Sequence, residues 1–152
     1  MAVYIYTDGS TSRNGKEDAT GGVGAWFGDG DPRNISEPYG GGDTPTNQRC
    51  ELWAIRRALE TEKARPLRVL TDSRYCIGCL TTWWERWEKN GWLTSSKKPV
   101  KNAELIRSVL DLIDDGVSMV HVPAHTGVHG NEEADRLANA GRVKGDATVL
   151  YS

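Results

Sequence analysis

The chain has 152 residues, of which 38% are hydrophobic and 26% charged, and its net charge is -2. These values are typical of one soluble globular domain and exclude a disordered chain. No apolar run approaches the roughly 20 residues of a membrane span, and the N-terminus lacks a secretory signal, so we expect an intracellular protein, cytosolic or nuclear. Three cysteines, an odd number, favour reduced packing thiols over a disulfide framework: Cys50, Cys76 and Cys79.

The N-terminal part predicts an antiparallel meander of three strands. Residues 2–7 alternate aliphatic and tyrosine side chains, which is typical of a strand buried on both faces. The following Asp8-Gly9-Ser10 predicts a sharp turn that leaves Asp8 at the rim of the sheet. Glycine-rich residues 21–28 and the short run 34–39 predict the second and third strands.

A helix and a parallel strand are predicted next. The helix begins at Thr46-Asn47 and runs to about Ala64, and its apolar stripe leaves Glu51 on the shoulder of the buried face, where an acid is costly without a partner. Residues 67–71 form an apolar strand that ends at Asp72. Because strand–helix–strand crossovers are right-handed and join parallel neighbours, we expect Asp8 and Asp72 to emerge side by side.

The stretch 74–101 combines tryptophans with positive charge. It holds six basic and two acidic residues, a net +4 that leaves -6 for the rest of the chain, and we call it the basic lobe. Residues 74–90 predict a helix with Gly78 as a candidate kink, in which Trp83 and Trp87 share a face that Trp84 does not. Aromatic rings beside cations suit a nucleic-acid groove, but the pattern equally fits a helix buried on two sides.

The C-terminal part predicts a helix over 102–114, a fifth strand over 117–122, a flexible loop over 123–130 and a last helix from about Asn131. Asp135 lies beside the packing residues of that helix. The tail from Gly145 is predicted to take no part in chemistry. Four acids thus stand out: Asp8, Glu51, Asp72 and Asp135. If they converge, hard divalent cations must neutralise them, and two magnesium or manganese ions can flank a phosphodiester.

Four short motifs contain these acids: Thr-Asp-Gly-Ser (7–10), Thr-Asn-Gln-Arg-Cys-Glu (46–51), Thr-Asp-Ser (71–73) and His-Thr-Gly-Val-His-Gly-Asn-Glu-Glu-Ala-Asp (125–135). They occur in the same order as the motifs of type 1 ribonuclease H, and the chain resembles that family over nearly its whole length. Trp87–Trp92 resembles the basic protrusion of eukaryotic-type members. The resemblance implies an α/β ribonuclease H-like fold with a mixed five-stranded sheet, three antiparallel strands then two parallel ones, flanked by helices. It implies a catalytic domain over 1–145 and a tail over 146–152.

The activity implied by the resemblance is hydrolysis of the RNA strand of RNA/DNA hybrids by a monomer with two Mg²⁺ ions, for which Mn²⁺ can substitute, leaving 3'-hydroxyl and 5'-phosphate ends. Asp8, Glu51, Asp72 and Asp135 match the metal-binding positions, and His125 matches a loop histidine that assists proton transfer or product release. Many eukaryotic-type relatives carry an N-terminal hybrid-binding domain, whereas the first predicted strand here begins at residue 2. The chain is therefore expected to be a stand-alone enzyme or an excised catalytic domain.

Substrate contacts are implied by the same resemblance. RNA-strand positions are Asn14, Asn47 and Gln48; DNA-strand positions are Thr46, Tyr75, Trp83, Trp87, Ser95 and Asn102. Thr46 and Asn102 belong to a DNA-phosphate pocket in which eukaryotic-type relatives place an arginine at the position of Thr44. This departure predicts a phosphate grip that is weaker or supplied differently.

Rival interpretations rest on single features. Cys76-Ile77-Gly78-Cys79 suggests redox chemistry, but it lies inside a predicted helix, away from the N-terminus where thiolates are activated. His121, His125 and His129 have helical spacing for a zinc site, but Pro123 and Gly127 interrupt any such helix. A catalytically silent hybrid-binding module of the same fold is the alternative from another functional class, and an exonuclease, resolvase or integrase of the superfamily is the alternative among enzymes.

Overall fold

A computed structural model describes the backbone of residues 1–151 and the side chains of residues 1–146. The strands are β1 (Val3–Ser12), β2 (Thr20–Trp26), β3 (Ile35–Pro38), β4 (Leu67–Thr71) and β5 (Val117–His121). The helices are α1 (Asn47–Thr61), α2 (Arg74–Gly78), α3 (Trp84–Lys89), α4 (Ala103–Leu110) and α5 (His129–Tyr151), and a π-helical segment (Cys79–Trp83) joins α2 to α3.

The five strands form one sheet in the order β3-β2-β1-β4-β5. β2 pairs antiparallel with β1 and β3, whereas β1, β4 and β5 run parallel. This confirms the predicted mixed sheet. The last parallel pair between β1 and β4 joins Tyr6 to Leu70. Asp8 and Asp72 each follow two residues later, so the sheet delivers both carboxylates to one edge.

The predicted end of β1 is wrong. The strand continues past Asp8 to Ser12, because its second half pairs with β2, with Asp8 opposite Gly24. Gly9 lies inside this ladder, where it serves a close contact with α1 and not a turn. The first half also departs from prediction, since Tyr4 is 53% exposed and the strand is not buried on both faces there.

Helices cover the two faces of the sheet unequally. On one face α1 and α4 enclose the main core, whose largest fully buried side chains include Ile5, Leu52, Ile55, Leu59, Leu67 and Ile106. On the other face α5 packs over β2, β1 and β3. The glycines of β2 make that contact possible. A Cβ atom on Gly22 would lie 2.0 Å from the backbone nitrogen of Arg142, and one on Gly24 would lie 2.3 Å from the backbone oxygen of Ala134.

The predicted helix over 74–90 is divided. Gly78, the predicted kink residue, ends α2, and the π-helical segment begins at the next residue. A Cβ atom on Gly78 would lie 2.4 Å from the ring of Trp83. The glycine therefore gives the indole room to lie against the helix five residues upstream.

Other boundaries differ by a few residues. α1 ends at Thr61, and α4 covers only 103–110 of the predicted 102–114. α5 begins at His129 and continues through Tyr151, so the predicted boundary between domain and tail at residue 145 falls inside a helix. Among the described helices, none is long and apolar enough to cross a membrane.

Candidate active site

Three of the four predicted acids meet at one point. Asp8, Glu51 and Asp72, here called the acidic cluster, offer carboxylate oxygens that all lie within 4.8 Å of one another. β1 and β4 place the two aspartates side by side. Glu51 joins them because α1 sits directly on β1: a Cβ atom on Gly9 would lie 2.6 Å from the Glu51 nitrogen. Only glycine permits this approach.

Burial and repulsion between charges raise the pKa values of Asp8 and Glu51 in the acidic cluster. Burial is the main cause that raises the pKa of Asp8 to about 7; the charges of Asp72 and Asp135 raise it further, while a hydrogen bond with Glu51 opposes the rise. Burial, followed by the charge of Asp8, raises the pKa of Glu51 well above its ordinary value. Neighbouring carboxylates repel each other, and a bound cation would compensate their charge.

The donor set fits a hard divalent cation. All of its ligand atoms are oxygens, which magnesium and manganese prefer. The Glu51 Oε2 atom is buried and has no hydrogen-bond partner among the described residues. An orphaned buried carboxylate oxygen is costly, and a bound cation would satisfy it. The acidic cluster could therefore hold a metal ion.

Asp135 lies beside the acidic cluster without belonging to the group of three. Its charge and hydrogen bonding contribute to the raised pKa of Asp8, so the two carboxyls lie close together. Sequence reasoning missed a neighbour on the same helix. Asn131 is only 3% exposed, and its Nδ2 donates to Asp72 Oδ2 over 3.1 Å. A buried amide at the start of a helix, inside the fourth motif, was the available signal.

The histidines do not converge. His125 is exposed in the loop between β5 and α5 with a φ of 54°, a left-handed conformation uncommon outside glycine. His129 begins α5, and its Nε2 lies 3.0 Å from Asp29 Oδ1, which raises the pKa of the imidazole. Over the described residues the acidic cluster is the only group suited to a metal, so the zinc interpretation has no support there.

The predicted RNA-strand residues lie together beside the N-terminus of α1. The Asn47 backbone N–H donates to Asn14 Oδ1 over 2.8 Å, and the Thr11 hydroxyl donates to Asn47 Oδ1 over 2.6 Å. Gln48 is the next residue of the helix, and Asn14, Asn47 and Gln48 are all exposed. Three amide side chains thus face solvent near Glu51.

The predicted phosphate-pocket residues are linked through an arginine that sequence reasoning did not select. Thr46 caps α1 by accepting from the Arg49 backbone N–H. The Arg49 Nε donates to Asn102 Oδ1 over 3.0 Å, and Asn102 Nδ2 donates to the Tyr75 hydroxyl over 3.0 Å. Arg49 Nη1 also donates to the Thr44 carbonyl. Arg49 lies within the Thr-Asn-Gln-Arg motif, and this position could have identified it from the sequence as a pocket residue.

The tryptophans of the basic lobe divide between surface and core. Trp83 is 43% exposed, and its ring centroid lies 6.1 Å from that of Trp87. Trp87 and Trp84 pack partly against the core. Ser95 is exposed in the loop that follows, as are the basic side chains Arg86, Lys89, Lys97 and Lys98. Trp83 and Trp87 therefore form an aromatic surface beside positive charge.

The cysteines do not support redox chemistry. Cys50, Cys76 and Cys79 are free and buried, as predicted for packing residues. Burial raises the pKa of the Cys76 thiol well above its usual range and that of Cys79 to about 11. Thiols with raised pKa values are poor nucleophiles at neutral pH.

Several known proteins resemble this chain in sequence or in fold. The RNase H family profile matches residues 1–143. The chain is 47% identical over 138 residues to "Ribonuclease H" of Schizosaccharomyces pombe, covering 90% of this chain and 52% of that protein. It is 41% identical over 141 residues to "Ribonuclease H" of Pseudomonas aeruginosa strain LESB58, covering 91% of this chain and 92% of that protein.

A solved structure of similar fold is that of a foamy viral protease-reverse transcriptase in complex with dsDNA. It superposes with a TM-score of 0.75 at 26% identity and covers 93% of this chain and 94% of that chain. The present chain spans about half the length of the Schizosaccharomyces relative and nearly all of the Pseudomonas one. The family profile alone extends over almost the whole sequence, and the chain belongs to the ribonuclease H family.

Proposed function

We propose that this protein is an endonuclease that hydrolyses the RNA strand of RNA/DNA hybrids with two Mg²⁺ ions, leaving 5'-phosphate and 3'-hydroxyl ends. The observation that carries the proposal is the acidic cluster itself, three converging carboxylates in a chain of the ribonuclease H family. The names of the relatives support the substrate class. Mn²⁺ has the same preference for oxygen ligands and is expected to substitute.

Asp8, Glu51, Asp72 and Asp135 would hold the metal ions. Divalent ions bound there supply an activated water and neutralise charge on the leaving oxygen. The burial of Asp8 and of the Glu51 Oε2 atom limits solvent access to these two carboxylates. We assign proton transfer or product release to His125, whose exposed loop also contains Gly127, a residue that suits loop movement.

Recognition of the RNA strand is assigned to Asn14, Asn47 and Gln48. The 2'-hydroxyl is the group that distinguishes RNA from DNA, and it both donates and accepts hydrogen bonds. Amide side chains can satisfy both roles. Asn47 and Gln48 are exposed in the first turn of α1, the helix that carries Glu51, and Asn14 accepts from the Asn47 backbone N–H, which supports this assignment.

Recognition of the DNA strand is assigned to Thr46, Tyr75, Trp83, Trp87, Ser95 and Asn102. Trp83 and Trp87 offer ring faces, and the cations of the basic lobe lie beside them. In the phosphate pocket, Thr44 brings no charge, and we assign the cation to Arg49. Its guanidinium binds the neutral oxygens of Thr44 and Asn102, and no carboxylate pairs with it among the described contacts, so its positive charge remains available to a phosphate.

The test is cleavage of a hybrid with an end-labelled RNA strand by the purified protein as a monomer, verified by sedimentation. Single-stranded RNA, duplex RNA and duplex DNA serve as alternative substrates, with EDTA and the variant Asp72→Asn as controls. We expect magnesium-dependent cutting of only the RNA strand of the hybrid, lost in Asp72→Asn. A protein that binds the hybrid but does not cut it with Mg²⁺ or Mn²⁺ would be a silent binding module.

A further inference from the structure

Helix α5 carries an asparagine one turn on either side of Asp135. Residues four apart lie on the same face of a helix, so Asn131, Asp135 and Asn139 form one row. Asn131 donates to Asp72, and Asn139 Nδ2 lies 3.4 Å from Asp135 Oδ2. This face of the helix therefore brings two neutral amides to two of the predicted metal-binding carboxylates.

The orientation of the Asn139 amide follows from a chain of donors that begins at Arg142. The Arg142 Nε donates to Ser10 Oγ over 3.1 Å, and a guanidinium can only donate. Ser10 Oγ therefore accepts from Arg142 and directs its own proton to Asn139 Oδ1, 2.6 Å away. An amide whose oxygen accepts from Ser10 turns its NH₂ group toward Asp135.

This series of hydrogen bonds is anchored at both ends in strands and helices. Arg142 Nη1 donates to Asp146 Oδ2 over 3.0 Å, and the Thr20 hydroxyl of β2 donates to the other oxygen of Asp146. Ser10 lies two residues after Asp8 on β1, hence on the same face of the sheet as Asp8. Because this series of hydrogen bonds connects β1, β2 and α5, the direction of donation along it has little freedom to reverse.

We propose that Asn139 is a positioning residue that fixes the carboxylate of Asp135 for a divalent ion beside Asp8, and that Ser10 and Arg142 hold its amide in the donating orientation. The inference rests on the proposed function, because it takes Asp135 as a metal ligand. A neutral amide suits this task. It restricts the carboxylate without cancelling the negative charge that attracts the metal, whereas a lysine or arginine in its place would cancel it.

The test measures metal affinity without substrate, by calorimetric titration of the folded protein with Mg²⁺. Asn139→Leu keeps a similar volume and removes the donor, whereas Ser10→Ala removes the group that orients the amide. Each is expected to raise the Kd for Mg²⁺ about tenfold. The double variant is expected to lose no more Mg²⁺ affinity than Asn139→Leu alone, because Ser10 acts on the metal site only through Asn139.

Two further variants separate positioning from loss of structure. Ser10→Thr retains a hydroxyl and is expected to bind Mg²⁺ as the wild type does. Arg136→Ala is the matched control on the same helix, since Arg136 is exposed and pairs with Glu133; its Kd is expected to be unchanged. In cleavage of the hybrid, kcat of Asn139→Leu at limiting Mg²⁺ should fall and should recover at high Mg²⁺.

A folded Asn139→Leu protein with the wild-type Kd for Mg²⁺ would overturn the inference and leave the proposed function intact. So would a loss of kcat that high Mg²⁺ does not restore. A wild-type protein that binds no divalent ion and does not cut the hybrid would overturn both. Thermal unfolding of every variant identifies any loss that comes from an unfolded protein.

Discussion

The acidic cluster and the basic lobe are built in opposite ways. Two neighbouring parallel strands and a helix seated on a glycine hold the acidic cluster, and Asp8 is only 4% exposed. The basic lobe uses helices of five and six residues around a π-helical segment, and α3 has no fully buried residue. The acidic cluster thus depends on the core, while the exposed side chains of the basic lobe offer surface. Changes in the acidic cluster should alter chemistry and stability, and changes of exposed residues in the basic lobe should alter affinity.

The largest expected effect is that of Gly9→Ala. The added Cβ atom would lie 2.6 Å from backbone atoms of Cys50 and Glu51, which must move with α1. We expect a loss of about 3 kcal/mol in the free energy of unfolding and a fall in cleavage of at least about 100-fold. Chemical denaturation and hybrid cleavage measure the two effects. Gly28→Ala, whose Cβ atom would meet only Asp31 at 3.9 Å, is the control. Equal behaviour of the two variants would contradict the close-contact role of Gly9.

The second effect concerns pH and the metal-free protein. The folded protein keeps the proton of Asp8 up to a pKa of about 7, whereas the unfolded chain releases it near 3.8. Unfolding therefore releases a proton between these values, and stability falls as pH rises through them. We expect the free energy of unfolding in EDTA to be about 2 kcal/mol lower at pH 7.5 than at pH 5. Saturating Mg²⁺ should restore it.

The variant Asp8→Asn sharpens this expectation because it cannot ionise. Its stability in EDTA should depend less on pH than that of the wild type, and should exceed it at pH 7.5. Asp115→Asn, at an exposed acid outside the acidic cluster, serves as the control. Identical pH profiles for Asp8→Asn and the wild type would show that ionisation of Asp8 does not cause the pH dependence of stability.

In the basic lobe, two adjacent tryptophans should separate affinity from stability. Trp83 is exposed, and Trp83→Ala is expected to weaken hybrid binding about tenfold with little change in unfolding. Trp84 packs against the core, and Trp84→Ala is expected to cost about 2 kcal/mol of stability with a smaller change in affinity. Fluorescence anisotropy and thermal unfolding give both quantities. The reverse assignment of effects would mean that Trp83 is a packing residue.

The smallest effect is expected for Thr44→Arg. A second cation should tighten hybrid binding, but only about threefold, because Arg49 already lies against the Thr44 carbonyl. The dissociation constant is measured at fixed salt, with Thr44→Gln as a control of similar length and no charge. An unchanged constant in Thr44→Arg would rule out a phosphate near this residue.

Much of the fold follows from local patterns. Apolar runs located β4 to the residue, and the crossover rule placed it beside β1, so the meeting of Asp8 and Asp72 could be predicted. The position of Glu51 on the shoulder of the α1 stripe pointed the same way. The length of β1 could not be predicted, because Gly9 resembles a turn signal until the pairing of β1 with β2 is known.

The sequence by itself determined most of the strands and helices and the pairing of β4 with β1, and hence the meeting of Asp8 with Asp72, because hydrophobic periodicity and chain connectivity are properties of neighbouring residues. The addition of Glu51 to this pair came from the resemblance to ribonuclease H. Only the tertiary structure decided how the side chains are held. Arg49 reaches Asn102, and Ser10 reaches Asn139 across 129 positions of the chain. Such contacts depend on how closely α1 and α5 approach the sheet, and that distance is set by packing over glycines at positions 9, 22 and 24.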